Sequence, residues 1–474
     1  MIRIVNARNV TGEYFGFEIE KDRFLTVTKQ GGPMAPGPND AWRALESLTA
    51  LSGQGSRSSR GKGAFFRDIN KSDVSGSAVN EGVFDAAGAT ILPAGLDVHV
   101  HSRSPGLTHK EDWHTLARGA YRGGVSGVAD MPNTIPPMMT REAVVEKAAI
   151  ARQSGLDFRL FLGVGASNID KVADILGDSA LPLCGLKVFY GRTTGDLMYD
   201  DLETLARSLP TDGSKIIVFH SEDQCGVDRN HACHAGDLDR RDHKAFAIHS
   251  VIRSSETAHA STRTILHWAK TSYKRPIHIA HVSTPLEVEM IAECKAQGVK
   301  VSCEVAPHHL LLSTDDYERL GPLGKMNPPL RSPDEVAHLQ RLVSQGLVDI
   351  FATDHAPHLM SEKMTTVGKS PSGVPSLEFY YPLIFEVARI TGLDLSHAIS
   401  MSSELPAKLF GFDDRGRIAP GCKADFVWMG DHPFVVKNQD VVSRCGWTPY
   451  DGWTLPRDVQ ATWVDGELKY VGPS

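Results

Sequence analysis

From residue 91 onward, short apolar or β-branched runs alternate with polar, Gly-containing breaks and with longer stretches whose apolar positions recur every three or four residues. The first pattern suits strands buried on both faces, the second amphipathic helices. The strand candidates are "ILPAGLDVHVH", "GVSGVADMPN", "DFRLFLGV", "CGLKVFY", "KIIVFHSE", "PIHIAHVS", "VKVSCEVAPHH" and "VDIFATDHAPH". Between them "TREAVVEKAAIARQSG", "DDLETLARSL", "PLEVEMIAECKAQG" and "SPDEVAHLQRLVSQG" predict helices. The last two begin at or near Pro with acidic residues in the first turn, as helix starts favour. Eight strand–helix units over about 320 residues predict a (β/α)8 barrel over 91–414. A doubly wound open sheet is the rival, because a local pattern carries no information about closure.

The flanks read differently. Residues 1–29 and 415–474 are strand-like and rich in turns, as in "MIRIVNARNV", "GCKADFVWMG" and "VQATWVDGELKYVG". They predict a small β-sandwich packed against the barrel, giving an α/β chain with a TIM-like barrel and a second domain built from both ends. Within the N-terminal part, residues 1–90, an insertion at about 30–85 is rich in Gly, Ser and charge. Apart from one predicted helix, "DAWRALESLTAL", it reads as a surface insertion or partly disordered loop.

Polar residues gather where the strand runs end. In "LDVHVHSRSP", His99, His101 and Arg103 are spaced two apart, so an extended chain projects all three from one face. Asn133, Lys187, His220, His281, Glu304 and Asp354 stand at the ends of the following runs. Each alone is compatible with a satisfied polar residue at a strand end. In a barrel, however, those ends converge on one mouth, where such folds place their chemistry. Several imidazoles with a carboxylate are consistent with zinc, and about six candidate ligands exceed one tetrahedral ion, so paired ions fit better. Lys187 is the awkward member. Desolvation and positive neighbours lower a lysine pKa, and a neutral amine can add carbon dioxide to become an anionic bridging carbamate. Asp354 in "FATDHAPH" can both ligate a metal and move a proton; His355 and His358 follow on the same loop, and one of them is expected to be structural.

A net charge of −7, with 41% apolar and 23% charged residues, describes an ordinary globular protein and argues against nucleic acid or an anionic membrane as the main partner. A small anionic substrate needs only one or two local cations. No apolar run approaches the roughly 20 residues of a membrane span, and "MIRIVNARNV" lacks the h-region of a signal peptide. Seven scattered cysteines without a CxxC pair suggest reduced thiols and a cytoplasmic protein.

The motifs "DVHVHSRSPG", "DMPNTIPP", "GLKVFYGRTTG", "CEVAPHHLLLS", "KMNPPLR" and "ATDHAPH", spread over most of 91–385, together resemble the cyclic amidohydrolase family and, within it, the dihydroorotases. The C-terminal "GWTPYDGWTLPRDVQATWVDGELKY" extends the resemblance. It implies a barrel holding two zinc ions through His99, His101, a carboxylated Lys187 as bridge, His220, His281 and Asp354, with a bridging hydroxide. It also implies that Arg103, Asn133 and His358 grip a substrate carboxylate, that Asn327 and the backbone at Gly373 face the ring, and that Glu304 occupies the position through which some relatives hold a third zinc. The implied reaction is the reversible closure of N-carbamoyl-L-aspartate to L-dihydroorotate. Four features depart from the pattern: Ser102 between His101 and Arg103, Ser376 where a second Gly is usual, the 30–85 insertion, and the His-rich "CGVDRNHACHAGDLDRRDHKAF". In that last segment His231, Cys233 and His234 are metal-capable, though an exposed polar loop is the favoured reading. The rivals are a sister enzyme acting on hydantoins, dihydropyrimidines or allantoin, a non-enzymatic scaffolding relative, and a metal-dependent deaminase or phosphotriesterase-like hydrolase. A homo-oligomer is common among such enzymes.

Overall fold

The computed structural model describes residues 2–30, 82–86, 88–192, 197–210, 213 and 215–473; the predicted helix "DAWRALESLTAL" and most of the 30–85 insertion lie outside the described residues. Eight parallel strands follow one another in chain order within one sheet. They are β1 (Gly95–Val100), β2 (Val125–Asp130), β3 (Asp157–Gly163), β4 (Leu183–Tyr190), β5 (Ile216–Ser221), β6 (Ile277–Ile279), β7 (Val301–Val305) and β8 (Ile350–Phe351). Most of their residues are buried on both faces, which is why runs such as "KIIVFHSE" are continuously apolar. The four predicted helices form at Arg141–Arg152, Leu202–Ser208, Pro285–Ala296 and Pro333–Ser344. Thr140, Asp201, Thr284 and Ser332 cap them through side-chain oxygens, and the last two complete capping boxes with Glu287 and Glu335.

β8 is two residues long, too short for a full ladder against β1. Closure is completed at the C-terminal end by the His101 N–H, which donates to the His355 carbonyl at 2.9 Å beside a Val100–His355 bridge. Buried Asp97 of β1 adds to it, accepting from the Thr353 N–H at 3.0 Å and from the Thr353 hydroxyl. Burial pushes Asp97 up to about 6. The sheet is therefore a barrel and not an open doubly wound sheet.

The run "ILPAGLDVHVH" turns out to be two strands. Thr90–Pro93 pairs with Phe426–Met429 outside the barrel, and the barrel begins only at Gly95. The switch occurs at Ala94–Gly95, where a side chain on Gly95 would meet the Tyr380 ring at 2.7 Å. Likewise "VKVSCEVAPHH" stops being a strand at Val305, because Pro307 opens a helix that carries His308 and His309.

The two chain ends meet in a second eight-stranded sheet, ordered Glu467–Val471, Val459–Val464, Phe426–Met429, Thr90–Pro93, Ile2–Arg8, Tyr14–Glu20 and Arg23–Lys29, with Gly82–Asp85 also paired to Ile2–Arg8. Phe426 and Trp463 stack at 4.6 Å within its core, next to Phe17 and Phe24. Arg415 ties this sheet to the barrel: its guanidinium pairs with Asp157 of β3 at 2.8 Å, with Asp465 at 2.9 Å and with buried Asp425. Removing Arg415 leaves buried Asp425 without its cation, whereas Asp157 keeps Arg159 and Asp465 keeps Lys423, each at 3.3 Å. Arg415→Ala should therefore lower the unfolding free energy by about 3–5 kcal/mol. Urea titration checks this, and a loss below about 1 kcal/mol, the worth of an exposed pair, would show that the cluster is effectively solvated.

Candidate active site

One cavity at the C-terminal mouth of the barrel is lined by His99, His101, Arg103, Asn133, Lys187, His220, His281, Asn327, Asp354 and Gly373, all selected from sequence, and also by Phe189, Ala356 and Ser372, which were not. The strands deliver them differently. His99 is the fifth residue of β1 and His101 follows its end; Lys187 lies inside β4 and His220 inside β5; His281 and Asp354 follow β6 and β8. Lys187 is thus not at a strand end, because β4 continues three residues further to pair with β5. Arg103, His281 and Asp354 have φ of 59°, 36° and 48°, a left-handed conformation that non-glycine residues seldom adopt. Three such residues in one cavity mark it as a place where packing enforces local strain, as functional sites do.

Hydrogen bonding fixes which ring nitrogens face inward. His101 Nδ1 donates to Asn133 Oδ1 at 2.7 Å, leaving Nε2 3.1 Å from Asp354 Oδ1. His99 Nδ1 is bonded to Glu304, leaving its Nε2 3.4 Å from the same Asp354 oxygen. Burial lowers His101 to about 4, so the ring is neutral at pH 7 and its Nε2 carries a lone pair. The His101 lone pair, the inward-facing His99 Nε2 and a carboxylate oxygen therefore converge, an arrangement that a shared cation satisfies. Among the described residues this is the only His/Cys/Asp/Glu cluster with metal-binding geometry.

A second group faces it. His220 Nε2 is held by Glu222 at 2.8 Å, while its Nδ1 lies 3.1 Å from His281 Nε2. Glu222, fully buried, is kept down at about 2: burial would raise it, but Arg253 and His220 outweigh that. Among the described residues, buried Lys187 Nζ and His281 Nδ1 have no hydrogen-bond partner. Burial lowers Lys187 to about 8, more than the nearby Glu304 and Asp354 restore. An orphaned buried amine beside two histidines fits a site completed by something else.

Glu304 does not face the cavity. It bonds His99 Nδ1, His278 Nε2 at 3.1 Å and the His281 N–H at 3.2 Å, and so orients ligand-type side chains from behind. His355 is structural: its Nδ1 accepts from the Ser376 and Leu377 N–H groups at 3.1 and 3.3 Å. His358 also stands back from the lining, with Nδ1 accepting from Lys110 at 3.2 Å and Nε2 3.1 Å from both the Ser372 carbonyl and Arg103 Nη2. Arg103 itself is 2% exposed and held by the Pro357 carbonyl at 3.0 Å. Burial lowers it to about 10, which leaves it charged at neutral pH. Among the described residues it has no carboxylate partner within 4 Å, so a desolvated cation opens onto the cavity.

Sequence reading missed Glu222 and His249. Glu222 was reachable, since it stands two residues after His220 as His101 does after His99. His249, whose Nε2 lies 2.9 Å from Asn327 Oδ1, was not, because that contact joins distant segments. His231 and Cys233 lie on a helix, Gln224–Cys233, and His234 approaches only Asp237; no metal-binding geometry forms there.

The Amidohydrolase family model matches residues 90–469. A dihydroorotase from Methanosarcina acetivorans is 36% identical over 407 residues, covering 81% of this chain and 84% of that one. A dihydroorotase from Halobacterium salinarum is 36% identical over 397 residues, covering 81% and 88%. Among solved structures, an L-hydantoinase from Arthrobacter aurescens aligns with a TM-score of 0.80 at 22% identity, covering 98% of this chain and 95% of that one. A dihydropyrimidinase from Brevibacillus agri aligns at 0.78 and 20%, covering 98% and 94%. At those identities the structural likeness speaks for the fold, the barrel with its additional sheet. The sequence matches go further: this chain belongs to the amidohydrolase family and is a hydrolase.

Proposed function

We propose that the protein is a zinc-dependent dihydroorotase, interconverting N-carbamoyl-L-aspartate and L-dihydroorotate plus water. The observation that carries this is Arg103: a buried guanidinium without a carboxylate partner among the described residues, opening onto the cavity that holds the His99–His101–Asp354 cluster. A neutral hydantoin or dihydropyrimidine ring would leave that charge uncompensated, whereas the carboxylate of dihydroorotate neutralises it with two parallel hydrogen bonds. The names of the sequence relatives support the same choice.

The residues present fit a two-metal centre. His99, His101 and Asp354 would hold one ion, His220 and His281 the other, and Lys187 as its carbamate would bridge them. Burial favours the neutral amine that adds carbon dioxide, with loss of one proton to solvent, and the orphaned Nζ has no competing partner. Bound zinc supplies Lewis acidity toward the amide carbonyl and lowers the pKa of water toward 7. Asp354 carries the proton, accepting it at its carboxylate in the hydrolytic direction and returning it to the departing ring nitrogen; cyclisation reverses both transfers. Asn133 fixes the His101 tautomer. Asn327, its oxygen held by His249, turns its amide donors to the ring. In this reading 91–414 is the catalytic barrel, and a cytoplasmic location agrees with the absence, among the described residues, of a helix long and apolar enough to cross a membrane.

The deciding experiment follows carbamoyl aspartate formation from L-dihydroorotate by the zinc-loaded protein. Turnover is expected. Zinc-loaded protein that ignores dihydroorotate and opens hydantoin, dihydrouracil or allantoin would replace this substrate with a neutral ring.

A further inference from the structure

We infer that Lys363, which does not itself line the cavity, is a positioning residue that shapes the substrate pocket and biases it toward an anion. This deepens the dihydroorotase reading and rests on it. Lys363 ends the short helix Met360–Lys363 and is completely buried. Its Nζ donates to the carbonyls of Lys325 at 2.8 Å, Pro371 at 2.9 Å and Gly373 at 3.1 Å. Three acceptors around one nitrogen use all three donors of an ammonium and leave no place for a lone pair.

Those carbonyls belong to two chain segments that reach the cavity. Asn327, two residues beyond Lys325, lines it from one segment, and Ser372 and Gly373 line it from the other. The Gly373 N–H also donates to the Lys325 carbonyl, at 2.9 Å, so a single ammonium and one backbone bond hold the two segments at a fixed separation. The Gly373 wall is bare backbone by necessity: its φ is 143°, and a Cβ there would lie 2.5 Å from the Ala356 carbonyl oxygen. The Lys363 contact sets where that wall stands together with the Gly373–Lys325 backbone bond, the His358 contact to the Ser372 carbonyl and the Ala356 N–H bond to Val374.

The charge has a second effect. Arg103, Lys325 and Lys363 are all buried, and among the described residues none has a carboxylate within 4 Å. Lys325 is satisfied by the carbonyls of Val367 and Ser370, both at 2.7 Å. The carboxylate on this side, Glu362, is partly exposed and pairs with Lys110 at 3.1 Å. The Trp447 ring lies 5.7 Å from Lys363 Nζ, and its indole N–H holds the His358 carbonyl at 2.7 Å, fixing the loop on which Arg103 rests. Burial and the neighbouring Lys325 and Arg103 push Lys363 below the usual lysine range, while its three carbonyl acceptors favour the ammonium against that. Asp354, Asp130 and Glu362 offset part of the Arg103 charge, and an anionic occupant would balance the remainder.

The test compares kcat, KM and zinc content of wild type, Lys363→Met and Lys363→Arg with L-dihydroorotate. In Lys363→Met the KM is expected to rise about 10- to 100-fold, with kcat within about threefold and zinc unchanged; a merely structural residue would not split the constants so. Lys363→Arg keeps the charge, but its planar fork cannot meet three carbonyls gathered about one nitrogen, so it should recover only part of the loss. A KM within twofold of wild type in folded Lys363→Met overturns the inference, as does a fall in kcat or zinc with KM unchanged. If Lys363→Met does not fold, Lys363→Arg decides by the same criterion; failure of both to fold would assign Lys363 to stability and overturn the inference too. A wild-type protein inert toward L-dihydroorotate defeats the underlying reading, whereas an active wild type with an indifferent Lys363→Met defeats this inference alone.

Discussion

Asp354→Asn is expected to lower kcat for L-dihydroorotate by at least about 10²- to 10⁴-fold, the range that a positioned acid–base group contributes. Burial would raise the Asp354 carboxyl, but the surrounding histidines, His99 foremost, outweigh it and hold the group well below the usual carboxylate range. It is therefore anionic throughout the neutral range. It is free both to share a cation with His99 and His101 and to take up a proton transiently. The substitution is selective for chemistry because Asp354 has a φ of 48°, and Asn is among the residues that tolerate the left-handed region best. Asn also keeps the volume and one oxygen of the side chain. The measurement is steady-state turnover alongside zinc content and thermal unfolding. A folded, zinc-loaded Asp354→Asn that retains more than about a tenth of wild-type kcat would remove Asp354 from proton transfer and require another carrier.

The barrel was legible because parallel strands buried on both faces cannot alternate, and because the helices between them start with recognisable caps. His99 and His101 were legible for an equally local reason, the two-residue period of an extended chain. What was not legible depends on contacts between distant segments. Nothing around Ala94–Gly95 shows that one apolar run serves two sheets; that follows from the Tyr380 ring, which leaves no room for a side chain on Gly95. Asp97 is two residues from a predicted ligand, yet its contribution to closing the barrel appears only when Thr353 is beside it. Lys363 reads as an ordinary charged residue on a short helix until the carbonyls of Lys325, Pro371 and Gly373 are seen around it. Of the two loop histidines in "DHAPH", the residues alone gave no choice, and the family resemblance assigned His358 to the substrate carboxylate. The structure shows His355 anchoring the Ser376 loop and His358 backing Arg103.

Arg103→Met should lower kcat/KM for L-dihydroorotate by about 30- to 5,000-fold, corresponding to the roughly 2–5 kcal/mol lost when one partner of a buried, hydrogen-bonded charge pair is removed. The free protein already carries the desolvation of this guanidinium, since Arg103 is buried with only the Pro357 carbonyl and the His358 ring as near polar neighbours. A substrate carboxylate would thus meet a cation already desolvated by burial, with Asp354, Asp130 and Glu362 acting on it only from beyond ion-pair distance. Arg103→Lys separates charge from geometry: a lysine keeps the positive charge but loses the planar fork, so an intermediate loss of about 10- to 100-fold is expected. Neither substitution should change zinc content, because Arg103 is not part of the His99–His101–Asp354 cluster. If both variants keep wild-type kcat/KM with dihydroorotate, the carboxylate is held elsewhere. If instead Arg103→Met gains activity toward neutral dihydropyrimidine rings while losing it toward dihydroorotate, the same side chain both recognises the acid and excludes the ring that lacks it. That exclusion follows from the physics of the free site, where a neutral ring would bury the guanidinium more deeply and give it nothing in return.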